Sequence, residues 1–121
     1  SYDSGNSWTP PASTGLQGQT MAIAQLPNES ILSIYRRMDK AGLWGNISQI
    51  RNNVWINKST FPLWGADEIH LNGHHNNMVS QFNELKLGAP CIAALADSSV
   101  YAAFWCYEKL VSNIRWFQFT V

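Results

Sequence analysis

A strand-turn-strand unit occurs twice in this chain at a constant offset, and that repetition narrows the possible folds more than any single motif. Met21-Ala22-Ile23-Ala24-Gln25-Leu26, the turn Pro27-Asn28-Glu29-Ser30 and Ile31-Leu32-Ser33-Ile34-Tyr35 form the first copy. Cys91-Ile92-Ala93-Ala94-Leu95, Ala96-Asp97-Ser98-Ser99 and Val100-Tyr101-Ala102-Ala103-Phe104 form the second. Leu26 aligns with Leu95, Ile31 with Val100 and Tyr35 with Phe104, each pair 69 residues apart, and Gly18 and Gly88 precede the copies. Units repeated at this scale stack on one another, because each leaves an apolar face that it cannot bury alone. The offset exceeds the ~40–50 residues of a plain four-stranded blade, so an excursion is expected between the copies.

Residues 61–87 suit that excursion, with Pro62, Gly65, Asn72-Gly73 and the run His74-His75-Asn76-Asn77. Phe82 and Leu85 share a helical face within Ser80 to Leu87, which predicts one short helical turn at most. β-branched and aromatic content places the other strands. Leu43 to Ile50 and Asn53 to Asn57 read as the third and fourth strands of the first copy. Val111 to Val121 reads as the third strand of the second copy, with no fourth. The expectation is an all-β fold of antiparallel sheets, divided into residues 1–17, 18–60, 61–87 and 88–121.

Composition limits the partners. Eight basic and eight acidic residues give a formal net charge of +0, so there is no electrostatic footprint for nucleic acid or an anionic membrane. No apolar run approaches the ~18–20 residues of a membrane span, and no signal peptide with a basic start and apolar middle is present. No pattern calls for a cofactor. Six Trp, four Tyr and five Phe suit a β protein, and also a surface on which sugars stack. Cys91 and Cys106 fall on neighbouring strands of one hairpin. A turn centred between Asp97 and Ser98 makes them diagonal and unbridged at ~7–8 Å, whereas a turn one residue later sets them face to face. Two buried thiols are the expected outcome.

The first eight residues, Ser1-Tyr2-Asp3-Ser4-Gly5-Asn6-Ser7-Trp8, have the spacing Ser-x-Asp-x-Gly-x-x-Trp. Such a segment suits a tight turn between strands. Asp3 accepts bonds from backbone N–H groups, Gly5 supplies a backbone conformation that other residues resist, and Trp8 opens the next strand and buries its ring. A turn of this kind at the first residue, without an initiating Met, fits a truncated or processed chain.

With this aspartate box, Leu32 to Arg37 with Gly42-Leu43-Trp44, Phe61-Pro62-Leu63-Trp64-Gly65, and Phe104 to Glu108 followed by Ile114-Arg115-Trp116, the chain resembles the C-terminal part of bacterial BNR-repeat proteins of the sialidase superfamily. The resemblance implies about two antiparallel four-stranded blades of a six-bladed β-propeller, the second blade lacking its fourth strand. It also implies a parent glycoside hydrolase of the exo-α-sialidase-like type that acts on terminal acidic sugars. True sialidases use three arginines, a tyrosine nucleophile assisted by a glutamate, and an aspartic acid as acid/base. The arginines here do not map one by one onto that triad, and the N-terminal arginine and acid/base motifs are missing, so the isolated chain is expected to be inactive. The alternative is a non-catalytic carbohydrate-binding or structural module that self-associates. The partners implied are a glycan, sialic acid or another acidic sugar, and the rest of the propeller or further copies of the chain.

The candidate catalytic residues are Glu108, a carboxylate beside aromatic rings whose pKa such surroundings raise, and Tyr35 as nucleophile. The bland readings are a loop glutamate and a packed core ring. Arg36 and Arg37 are candidate carboxylate binders through bidentate hydrogen bonds. Against that stands one solvated arginine and one bridged to Asp39. Trp44 and Trp105 are candidate sugar platforms, and Trp64 belongs with them in the non-catalytic reading. Arg115 faces away from Ile114 and Trp116 and is positioned to pair with Glu108. His70, His74 and His75 lack the cysteine or helical frame of a zinc site, so no metal is expected. Asp67 and Glu68 suit a polar loop or the rim of a substrate entrance. Asn28, Asn46 and Asn57 each begin a glycosylation triplet, a weak signal in an Asn-rich chain.

Overall fold

The structure, a computed structural model, describes residues 1–68 and 86–120. Seven strands account for all the regular structure among them: β1 Gly18–Gln25, β2 Ile31–Arg37, β3 Leu43–Arg51, β4 Val54–Trp64, β5 Leu87–Ala94, β6 Ser99–Glu108 and β7 Val111–Thr120. They form two antiparallel sheets, ordered β1-β2-β3-β4 and β5-β6-β7.

The repeat extends to individual backbone bonds. At the β1–β2 turn, Leu26 N–H donates to Ser30 C=O at 2.8 Å and Glu29 N–H to Leu26 C=O at 3.0 Å. At the β5–β6 turn the same two bonds join Leu95 to Ser99 at 2.9 Å and Ser98 to Leu95 at 3.1 Å. The side chains of Asn28 and Asp97 each accept the N–H two residues on, which stabilises the turn locally. Both first strands are interrupted by a bulge, between Gln19 and Ala22 and between Gly88 and Cys91, with Thr20 and Ala89 at φ 51° and 45°. Cross-strand bonds from Met38 N–H to Gln17 C=O and from Tyr107 N–H to Lys86 C=O close the two copies in the same way.

Period-2 alternation gives each sheet two faces. The core face of the first sheet carries Leu32, Ile34 and Leu43, with Ile47, Phe61 and Trp64 packed beside them. It meets the core face of the second sheet, which carries Leu87, Val100, Ala102, Phe104 and Cys106, flanked by Ile92, Phe117 and Phe119. The Trp64 and Phe104 rings cross this junction, with centroids 5.4 Å apart. The far face of the first sheet is polar in its middle, where Ser33, Asn46 and Ser48 are buried. Asn46 donates to Ser59 C=O and Thr60 Oγ1, while its own Oδ1 and the Ser33 hydroxyl have no partner among the described residues.

Several expectations are corrected. β4 continues through Phe61 and Pro62 to Trp64, beyond the expected end at Asn57, so the excursion does not begin at residue 61. Pro62 is tolerated because β4 is the outermost strand of its sheet. Leu87, placed in a short helical turn by the sequence pattern, opens β5, and the rest of that expected turn lies outside the described residues, as do His70, His74 and His75. Around Ser1 to Trp8 the turn forms as expected: Asp3 Oδ1 accepts Ser7 N–H at 2.9 Å and Gly5 has φ 91°. Trp8, however, opens no strand and is 78% exposed. The β5–β6 register sets Cys91 opposite Ala103 and Cys106 opposite Leu87, so neither alignment expected from the turn applies. Both thiols are free; Cys106 is buried but Cys91 is exposed.

The two-residue hairpins differ in their chemistry. Asn52-Asn53 and Lys109-Leu110 both have positive φ at each position, the type I′ geometry that matches the twist of the strands. Asparagine tolerates that region; Leu110 does not, and its side chain is 85% exposed and recovers nothing by packing. Leu110→Gly is therefore expected to raise stability by about 1 kcal/mol. The opposite holds at Gly42, with φ 88°, where a Cβ would lie 2.2 Å from the Trp64 carbonyl oxygen. Gly42→Ala should cost about 1–3 kcal/mol. Urea unfolding midpoints of the two variants check both signs.

Candidate functional site

The groups expected to carry chemistry do not share one face: Tyr35, Arg37 and Trp44 stand on the far face of the first sheet, Trp105 on the outer face of the second, and Arg36, Glu108 and Arg115 on the core faces, and few of them are free to act. Arg37 follows the far-face parity of Tyr35 and lies over the Trp44 ring, its guanidinium carbon 4.8 Å from the centroid. Its Nε donates to Asp39 Oδ1 at 2.7 Å, and a second bond joins the same two side chains. Lys40 Nζ lies 5.4 Å from the same ring centroid, and the Trp44 indole N–H donates to Ala41 C=O. Trp44 is thus engaged by two cations. The Asp39 carboxyl is held below its ordinary value, first by the Arg37 hydrogen bond.

Arg36 has the opposite environment. It stands on the core face opposite Gln19 and Leu43, in the row Gln19, Arg36, Leu43, Trp64. One terminal nitrogen donates to Gln19 Oε1; Nε is buried with no hydrogen-bond partner among the described residues. Burial lowers its pKa, and no carboxylate among the described residues counters that effect. The guanidinium nevertheless stays charged, because its ordinary value lies so far above neutrality.

Trp64 of this row touches Phe104, and Phe104 stands opposite Arg115 on the second sheet. Arg115 lies on that sheet's core face, as its alternation with Ile114 and Trp116 predicts. It makes a bidentate pair with Glu108: Nε to Oε2 at 2.7 Å and a terminal nitrogen to Oε1 at 2.9 Å. The expected elevation of the Glu108 pKa is reversed, because the Arg115 hydrogen bonds hold the carboxyl below its ordinary value. The cause is the charge partner, which outweighs any drying by nearby rings. Cys106 is buried beside the pair, with its thiol 3.5 Å from Glu108 Oε2, and burial, followed by Glu108, pushes the thiol up.

Tyr35 is buried, and burial raises its phenol, whereas an activated nucleophile needs the reverse. A Cβ on Gly18 would lie 2.2 Å from the Tyr35 ring, so the ring closes directly over the start of β1. Trp105 is half-buried on the outer face of the second sheet, between Gly88 and Ile114. Tyr107 follows on the same face with Lys86 Nζ 4.7 Å from its ring centroid.

Asp67 and Glu68 lie in an exposed turn, and no group of three or more metal-binding side chains occurs among the described residues. Of the glycosylation triplets, Asn46 is buried; Asn28 holds its turn, and Asn57 bonds to Trp55 and Thr14. Sequence reading missed Gln19 as the companion of Arg36, since the bulge between Gln19 and Ala22 shifts the register that pairs them. It also missed Lys40 and Lys86, whose signal was an aromatic residue a few positions away or across a ladder.

The carboxyl of Glu108 should titrate below that of an exposed glutamate in a carbon-detected NMR titration, and Arg115→Gln should move it back up. Because the folded value is depressed, the pair's contribution is present above the unfolded value and lost as pH falls through the folded one. A maleimide should label Cys91 in the native protein and reach Cys106 only after denaturation. The chain matches no family model, no curated protein and no solved structure.

Proposed function

We propose that the chain is a non-catalytic binding module for a carboxylated glycan, built as part of a sialidase-like β-propeller. The observation that carries the binding reading is Arg36, a half-buried guanidinium with an unpartnered Nε and no acid beside it among the described residues. An arginine held this way gains most from a ligand that brings its own carboxylate, because the charge is already partly desolvated and Gln19 fixes one terminal nitrogen. The aspartate turn at Asp3 and the two sheets joined in series support the propeller part of the reading.

A hydrolase of the exo-α-sialidase-like type needs an accessible tyrosine and an acid with a proton to give. Tyr35 is a buried phenol and Glu108 an ion-paired carboxylate, so the non-catalytic reading is preferred.

Arg36→Ala is expected to weaken binding of N-acetylneuraminic acid by about 10- to 100-fold and to leave binding of a neutral analogue unchanged. Equal losses for both sugars, measured by calorimetry, end the carboxylate role. Turnover of a fluorogenic sialoside by the chain replaces the binding module with the hydrolase.

A further inference from the structure

The two sheets are joined through faces that are not equivalent in the repeat. Tyr101 in the second sheet corresponds to Leu32 in the first, 69 residues earlier, and Leu95 corresponds to Leu26. Leu26 and Leu32 belong to the buried core, whereas Leu95 and Tyr101 are exposed. The pairing across β7 agrees. Ile114 stands opposite Trp105 as Leu43 stands opposite Arg36; Leu43 is buried and Ile114 is 72% exposed. Trp116 is 66% exposed and stacks on Tyr101 with centroids 6.4 Å apart. The outer face of the second sheet therefore presents, open to solvent, the positions at which the first sheet is packed.

The far face of the first sheet has the complementary property. Ile23 and Ile31 correspond to Ile92 and Val100, which pack against the first sheet. Here Ile23 is 59% and Ile50 58% exposed, and with Ile31, Gln25 and Glu29 they line an open depression of ≈ 380 Å³. Ser33 and Tyr35, farther along the same face, are already covered, so the depression is the part left open.

We infer that a second copy of this chain docks head to tail, the outer face of its second sheet at Leu95, Tyr101 and Trp116 seated on the Ile23, Ile31 and Ile50 depression of the first. The contact continues the interface that already joins the two sheets within one chain. Because the two surfaces differ, it is heterologous: an open dimer still carries one free face of each kind, and assembly proceeds to a ring or an open chain of copies. Exposed apolar patches at both ends of the stack are what such a contact removes from water.

The experiment is analytical ultracentrifugation of the whole chain and two variants, with circular dichroism to verify folding. Wild type is expected to self-associate. Tyr101→Glu and Ile50→Glu should each be monomeric alone, yet form a one-to-one dimer when mixed, since each retains the face that the other has lost. A monomeric wild type at high concentration overturns the proposal, as it would if these faces serve other sheets of a longer chain. A mixture that stays monomeric, or either variant assembling alone as a symmetric contact requires, also overturns it. Trp116→Glu and Ile23→Glu replace any variant that fails to fold, with the same outcomes.

Discussion

The burial of one sheet's core face against the other is the contact on which the rest of the molecule depends. A three-stranded sheet with one apolar face is marginal in water by itself, and β5-β6-β7 reaches stability by covering Val100, Ala102 and Phe104 with the first sheet. The same junction orders the rows that carry the candidate site. Trp64 against Phe104 sets the row containing Arg36 beside the row containing Arg115. Two arginines from separate sheets thereby come to adjoining rows with opposite electrostatic fates: one saturated by Glu108, the other without an acid among the described residues.

Much of the fold was legible because its signals are local. The turns at Pro27 to Ser30 and Ala96 to Ser99 announce themselves through Asn28 and Asp97, whose side chains bond the backbone two residues on. Alternation of apolar residues then sets the strands that flank them. The bulges were not legible, since Thr20 and Ala89 carry none of the glycine that usually marks positive φ. The bulge between Gly88 and Cys91 sets Cys106 opposite Leu87, whereas Cys91 faces Ala103 because the β5–β6 turn centres on Asp97. Trp8 failed for another reason: a turn motif specifies its own hydrogen bonds, but burial of the ring that follows depends on a surface elsewhere.

The candidate site was legible where neighbours on one strand or hairpin decide it. Arg115 lies seven residues from Glu108 across a two-residue turn, and alternation alone puts their side chains on one face. The Arg37–Asp39 pair is equally local. Arg36 is different, because its core-face pairing with Gln19 depends on a register shift that begins seventeen residues earlier. Adjacent arginines with the same sequence context therefore end with opposite pKa directions, Arg37 raised by Asp39 and Arg36 lowered by burial.

Among the described residues, every ladder joins strands that are consecutive in the chain. Each sheet can accordingly zip from its own hairpins, with short loops and little entropy lost per closure. The meeting of the two sheets is the one step that closes a long stretch of chain. Folding is then a local process repeated twice and followed by a single docking event, and lengthening the connection between β4 and β5 adds to its entropic cost only as the logarithm of the loop length.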